Sequence, residues 1–111
     1  MGFPKYDMQR SSDNQFYFTL KAVNGYTILT SERYTTKQNC LNGIQSCKNN
    51  SPYDRNYERL IASSGQFYFN LRAANYEVIG RSEMYTTTAA RDNGIDAVKR
   101  DGPIAEVEDN T

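Results

Sequence analysis

The chain has no histidine and no tryptophan, only two cysteines and three prolines, and no excess of either charge, with thirteen basic and thirteen acidic residues. Without histidine there can be no Ser-His or Cys-His dyad, no imidazole metal site and no imidazole proton switch near neutrality. Zero net charge removes the bulk electrostatic case for a polyanion or an anionic membrane. Cys40 and Cys47 are too few for a disulfide scaffold and lack C-x-x-C spacing. On one helix they would stand about 10.5 Å apart along the axis, beyond the roughly 7 Å that a disulfide tolerates, so reduced thiols are expected. No apolar run approaches the roughly 20 residues of a membrane span. Met1 to Lys5 leads into polar residues rather than the apolar stretch of a secretory leader, and Tyr6 breaks the myristoylation pattern. The expectation is a cytoplasmic protein of one domain over 1–111.

What is present is aromatic and repetitive. Hydrophobic residues make up 38% of the chain and Phe and Tyr alone 13%, so a core must lean on rings. Shifted by about 51 residues, the chain matches itself without a gap at about 18 of 38 positions, a density expected of duplication. Gln15-Phe16-Tyr17-Phe18 falls on Gln66-Phe67-Tyr68-Phe69, and Leu20, Ala22, Asn24 and Ile28 on Leu71, Ala73, Asn75 and Ile79. Ser31-Glu32, Tyr34-Thr35-Thr36, Asn42-Gly43-Ile44, Lys48 and Pro52 recur as Ser82-Glu83, Tyr85-Thr86-Thr87, Asn93-Gly94-Ile95, Lys99 and Pro103. Repeat one runs over about 6–56 and repeat two over about 57–111.

Each repeat reads as three strands and a helix. Phe16, Phe18, Leu20 and Ala22 alternate with Tyr17, Thr19 and Lys21, the period of a half-buried strand, and Phe67 to Ala73 repeats the pattern. Tyr6 to Ser11 and Tyr57 to Ser63 supply the strands before these; Thr27 to Glu32 and Glu77 to Glu83 supply those after. Asn24-Gly25 predicts a two-residue type I′ hairpin, which Asn75-Tyr76 supports less well. Helices are expected over 36–49 and 87–101, capped by threonine and stopped by Pro52 and Pro103. Gly43 and Gly94 fall mid-helix, where glycine costs about 0.5–1 kcal/mol relative to alanine. That cost, carried by both repeats, predicts close approach of helix to sheet. Ile104 to Asp109 alternates, with Ala105 and Val107 inward, and should cross back to pair with repeat one.

One repeat is marginal as a domain. Two that share one antiparallel sheet, with both helices on one face over Phe16, Phe18, Leu20, Phe67, Phe69 and Leu71, solve that problem as an α+β pseudo-twofold domain. The motifs F-x-F-x-L-x-A-x-N-G (Phe16 to Gly25), I-x-x-S-E-x-Y (Ile28 to Tyr34) and N-G-I-x-S-C-K (Asn42 to Lys48), with their second copies, resemble the YegP-like family of small uncharacterised bacterial proteins. That resemblance implies tandem β3-α-β units, or a dimer of single units, sharing one sheet with exchanged C-terminal strands. It implies no activity, cofactor or catalytic residue.

Three constellations are candidates for function. The first is the strand-to-helix corner Ser31, Glu32, Tyr34 with its copy Ser82, Glu83, Tyr85, where a polar small molecule could sit; capping and packing account for the same residues. The second is the uncovered sheet face, where Tyr17, Lys21, Tyr68 and Arg72 project. Aromatic and basic groups interleaved suit single-stranded nucleic acid, while Tyr and Arg also suit a protein partner. Zero net charge favours protein over nucleic acid. The third is the thiol pair: Cys47 aligns with Val98 and belongs to the core, while Cys40 aligns with Arg91, which predicts the more accessible and faster-labelled thiol. No catalytic residue, metal ligand or cofactor is expected. The reading is a monomeric, non-enzymatic module that binds a protein through its open sheet face.

Overall fold

The computed structural model describes residues 3–111; Met1 and Gly2, part of the stretch read above for a leader, lie outside the described residues. Seven strands and two helices follow in order: β1 (Lys5–Arg10), β2 (Phe16–Lys21), β3 (Thr27–Ser31), α1 (Lys37–Asn50), β4 (Tyr57–Ile61), β5 (Phe67–Arg72), β6 (Val78–Arg81), α2 (Thr88–Asp101) and β7 (Glu106–Asp109). A 3-10 turn at Asp54–Asn56 leads into β4. The strands form one sheet in the order β4-β5-β6-β3-β2-β1-β7. All pairings are antiparallel except that of β7, which runs parallel to β1, so the shared sheet is mixed. The two repeats meet where β3 touches β6 through only two pairs, Thr30↔Arg81 and Ser31↔Gly80.

Both helices lie on the same core. Phe18, Leu20, Leu29, Phe69 and Leu71 are buried from the sheet, beneath Cys40, Ile44 and Cys47 of α1 and Ile95 and Val98 of α2. Phe67 is only half-buried, unlike its counterpart Phe16. The edge-on pair Tyr6–Phe18 (5.5 Å) has a tilted counterpart in Tyr57–Phe69 (5.7 Å). Such pairs contribute about 0.5–1.5 kcal/mol beyond area burial.

The helix glycines have a direct physical cause. Tyr34 bridges to Phe16, and Tyr85 to Phe67, as short extensions of the sheet, which lays each phenol flat on the following helix. A Cβ on Gly43 would meet the Tyr34 hydroxyl, with its Cζ at 2.6 Å; a Cβ on Gly94 would meet that of Tyr85, with Cζ at 2.8 Å. Gly43→Ala should therefore lose about 1–2 kcal/mol: a helical gain of roughly 0.5–1 is outweighed by about 1–3 of overpacking. Chemical denaturation of the single variants would read this, and a gain in midpoint would refute it.

The hairpins differ from expectation. Only Gly25 and Tyr76, not Asn24 or Asn75, have positive φ, at 87° and 69°. The Gly25 amide donates to the Ala22 carbonyl (2.9 Å) and that of Ala22 to Tyr26 (2.9 Å), which makes a three-residue loop closed by a G1 bulge rather than a type I′ turn. The same pattern closes the other three hairpins, with Asn14, Gly65 and Tyr76 in the left-handed position.

The repeats hold each other crosswise. Tyr6 of β1 donates to the Gly102 carbonyl at the end of α2 (2.6 Å), and Tyr57 of β4 donates to Ser51 at the end of α1 (2.7 Å). Lys48 of α1 donates to the Ala105 carbonyl (2.9 Å), and Lys99 of α2 to Asp54 (2.8 Å). The terminal segment crosses to repeat one as the alternation predicts, on β1. Ala105 is fully buried, but Val107 is 43% exposed, so only half of the expected inward pair is covered. The matching segment of repeat one forms the 3-10 turn instead of a strand, so the crossing strand exists once.

Ion pairs tie down the tail. Lys5 pairs with Glu108 (3.1 Å), Lys37 with Asp109 (3.0 Å), and Asn110 donates to Asp7 (2.7 Å). Hydrogen bonds from Thr111, reinforced by Lys37, hold the Asp109 carboxyl at about 2, below its ordinary 3.8. A carboxylate with a depressed folded value stabilises above its unfolded pKa, and that contribution is lost as pH falls through the folded one. Acidification from 3.8 towards about 2 should loosen β7 before the rest of the sheet. Amide exchange at Asn110, which donates to the Met8 carbonyl (2.8 Å), against Leu20 would read the order, and simultaneous loss at both would contradict it.

Candidate functional site

At the strand-to-helix corners, the serine hydroxyls are spent on the backbone. Ser31 Oγ accepts from the Phe18 amide (2.8 Å) and donates to the Glu32 carbonyl (2.8 Å); Ser82 does the same with Phe69 (2.9 Å) and Glu83 (2.7 Å). Both are buried. Thr36 and Thr87 cap the helices by accepting from Asn39 and Ala90, each at 3.0 Å. Tyr34 and Tyr85 cover the helix glycines, and burial pushes the Tyr34 phenol up to about 12. Glu32 and Glu83 remain exposed. Ser31, Glu32 and Ser82 come together with Thr30 and Arg81 around a shallow cavity of about 270 Å³ near the pseudo-twofold axis. Tyr34 instead faces a separate cavity of about 340 Å³ between α1 and β6. The shallow cavity draws on both corners, but Tyr34, Glu83 and Tyr85 do not line it, so neither corner is assembled there whole.

On the open sheet face the expected cations are already neutralised. Lys21 pairs with Asp7 (3.0 Å), and Arg72 with Glu58 (2.8 Å). The Tyr17 ring carries the Arg33 guanidinium at 4.4 Å, and Tyr68 that of Arg81 at 5.3 Å. The row Thr19–Thr30–Arg81–Asn70 crosses the four central strands. Tyr17 and Tyr68 lie two residues from it in opposite directions and three strand spacings apart, about 20 Å in all. Successive bases on one strand could not stack on both rings without a long span between them.

The thiol expectation is corrected. Cys40 is as fully buried as Cys47, and burial pushes the two thiols to about 11 and about 12. Alkylation at neutral pH should leave both unlabelled until the protein unfolds, and mass spectrometry of a brief pulse would check it. No group of three His, Cys, Asp or Glu side chains is placed to hold a metal among the described residues. No helix among them is long and apolar enough to cross a membrane.

Arg72 apart, the residues that line a further cavity were not singled out in the sequence. About 590 Å³ is enclosed by Asn50, Tyr53, Arg55, Asn56, Tyr57, Glu58, Arg72, Ala73, Ala74 and Tyr76. The one sequence signal for it was Tyr76, which stands where the first repeat has Gly25.

Fold and surface together define a tandemly repeated α+β protein, two helices backing one seven-stranded sheet. The chain belongs to the family described as a domain of unknown function, DUF1508, whose model matches twice, at residues 11–58 and 62–109. It is 53% identical over 106 residues to the UPF0339 protein YegP of Escherichia coli K12, covering 96% of each chain, and 49% identical to a UPF0339 protein of Shewanella oneidensis with the same coverage. The solution structure of yegP, a protein of unknown function from E. coli, superposes with a TM-score of 0.94 at 50% identity, covering all of this chain and 96% of that one. That of UPF0339 protein SO3888 from Shewanella oneidensis gives 0.90 at 48% identity, covering 96% and 90%.

Proposed function

We propose that this protein is a non-enzymatic cytoplasmic module, monomeric and organised as repeats of about 6–56 and 57–111, that binds a folded protein through its helix-free sheet face. The observation that carries this reading is an aromatic face on which the expected cations are ion-paired and two further guanidiniums, Arg33 and Arg81, lie against tyrosine rings. Lys21 and Arg72 are matched by Asp7 and Glu58, while Tyr17 and Tyr68 remain with arginines beside their rings. A polyanion gains from a run of unmatched cations, of which this face offers two, each against a ring; a protein surface gains from Tyr and Arg together. The corners support a small-molecule reading less well, because Ser31 and Ser82 are committed to the backbone.

The test is a photo-crosslinking residue at Thr30, on the central row of the open face, applied in cells. A single protein should be captured by the wild type and lost with Tyr17→Ala/Tyr68→Ala, while circular dichroism stays unchanged. Capture that survives the double substitution would overturn the reading. So would saturable binding of a single-stranded oligonucleotide near 50 mM salt that the double substitution weakens, since ring stacking contributes about 1–3 kcal/mol per base.

A further inference from the structure

Four hairpin loops of one geometry offer an internal comparison. Their left-handed position is held by Asn14, Gly25, Gly65 and Tyr76. Glycine adopts it freely and asparagine tolerates it, but a bulky residue there is strained. Packing does not offset that strain, because the Tyr76 side chain is 79% exposed. What the ring does is stand at the rim of the cavity of about 590 Å³.

Repeat one has a counterpart of about 500 Å³ with a different lining. That counterpart is lined by Pro4, Lys5, Ala22, Val23 and Gly25, the positions of Arg55, Asn56, Ala73, Ala74 and Tyr76, but also by Glu106, Val107 and Glu108 of β7. Among the described residues no strand occupies the equivalent place in repeat two. Tyr53, half-exposed, also lines this cavity, with the Arg55 guanidinium 4.6 Å from its ring centre. Arg72 is held by Glu58 and donates to the Tyr76 carbonyl (2.6 Å). Arg55 has no carboxylate partner among the described residues. The charged lining residues Arg55, Arg72 and Glu58 therefore leave one net positive charge.

We infer that this cavity is a binding site for a small planar aromatic anion, whose ring packs against Tyr76 and Tyr53 and whose carboxylate or phosphate meets Arg55. Its volume lies within the range of small-ligand pockets. The strain at Tyr76 is retained for the ring it places there, the pattern of a functional residue that costs stability. This site adjoins the open sheet face through Arg72 and Glu58 but does not depend on a protein partner.

The experiment is an amide-shift titration of the intact protein with indole-3-carboxylate and, in a second arm, adenosine monophosphate; the arm that saturates identifies the source of the anion. Saturable shifts at Tyr53, Arg55 and Tyr76 are expected below about 1 mM. Tyr76→Gly should raise the melting temperature by about 5 °C and weaken binding at least about tenfold. Arg55→Gln should weaken the anion about tenfold while leaving the melting temperature unchanged. The absence of saturation by both ligands up to about 10 mM overturns the proposal. So does a Tyr76→Gly variant that is more stable and binds as well as the wild type.

Discussion

A chain that ends at Gly102 should be less stable than the whole protein by about 3 kcal/mol, a fall in melting temperature of about 15 °C. The truncation removes the pairing of β7 with β1 from Lys5↔Glu106 to Met8↔Asp109, the buried Ala105, the Lys48 hydrogen bond and the Asn110 contact to Asp7. It also strips one side from Tyr6 and Met8, two of the largest buried side chains, and opens a sheet edge. Asp7, 5% exposed in the whole protein, would keep only Lys21 and Gln9 as side-chain partners. Hydrogen exchange should report the loss over β1 before it reaches Phe16 to Lys21. A frayed tail would cost almost nothing on removal, so unchanged protection over Lys5–Arg10 would refute the structural role of β7.

Gly80→Leu should be more damaging still, at about 4 kcal/mol. Under the repeat Gly80 corresponds to Leu29, and the two lie against each other beside the β3–β6 junction. A Cβ on Gly80 would stand 2.9 Å from Leu29 Cγ and 2.9 Å from the Thr30 carbonyl oxygen. One leucine fills the space at the pseudo-twofold axis, and two cannot. Leu29→Gly alone leaves a cavity and should cost about 3 kcal/mol. The combined Leu29→Gly/Gly80→Leu variant removes the clash with Leu29 but not that with the Thr30 carbonyl, and should recover part of both losses. Denaturant midpoints for the three variants decide the matter: a double variant no better than the worse single would mean that the axis is not equivalent from its two sides.

The duplication, the strand-strand-strand-helix order and the crossing of the last segment were all legible, because each is written in periodicity or in self-similarity. The threonine caps and the helix glycines were legible for the same reason. Cys40 was misread because its partner in the repeat is Arg91, taken as a marker of exposure. Arg91 is only 12% exposed: its stem lies inward, with its guanidinium 5.9 Å from the Phe67 ring and its charge on Asp92. The position is buried in both repeats; arginine can reach out of it and cysteine cannot. Asn24-Gly25 suggested a two-residue turn because the dipeptide is shared by several loop geometries, and the choice between them rests on where Ala22 and Tyr26 pair. The serines of the corners gave no sign that they would bond to Phe18 and Phe69, since those contacts depend on the pairing across β2–β3 and β5–β6. The cavity beside Tyr76 joins residues from the first repeat's exit and the second repeat's hairpin, which no local pattern connects.

The pairing of β1 with β7 joins the first strand of the chain to the last, and this has a consequence for the order of events during synthesis. The chain emerges amino-terminus first, so β1, β2, β3 and α1 are available while the residues that cover the outer edge of β1 are still unmade. Tyr6 and Met8 must wait for residues 106–109 before that edge closes, and closure over so long a loop is slow. A circularly permuted chain that begins at Tyr57, with a short linker from Thr111 to Phe3, would make β7 before β1 and shorten that wait. The native order leaves a hydrophobic strand edge open for longest in the half-made protein, the interval in which a holding chaperone has most to offer it.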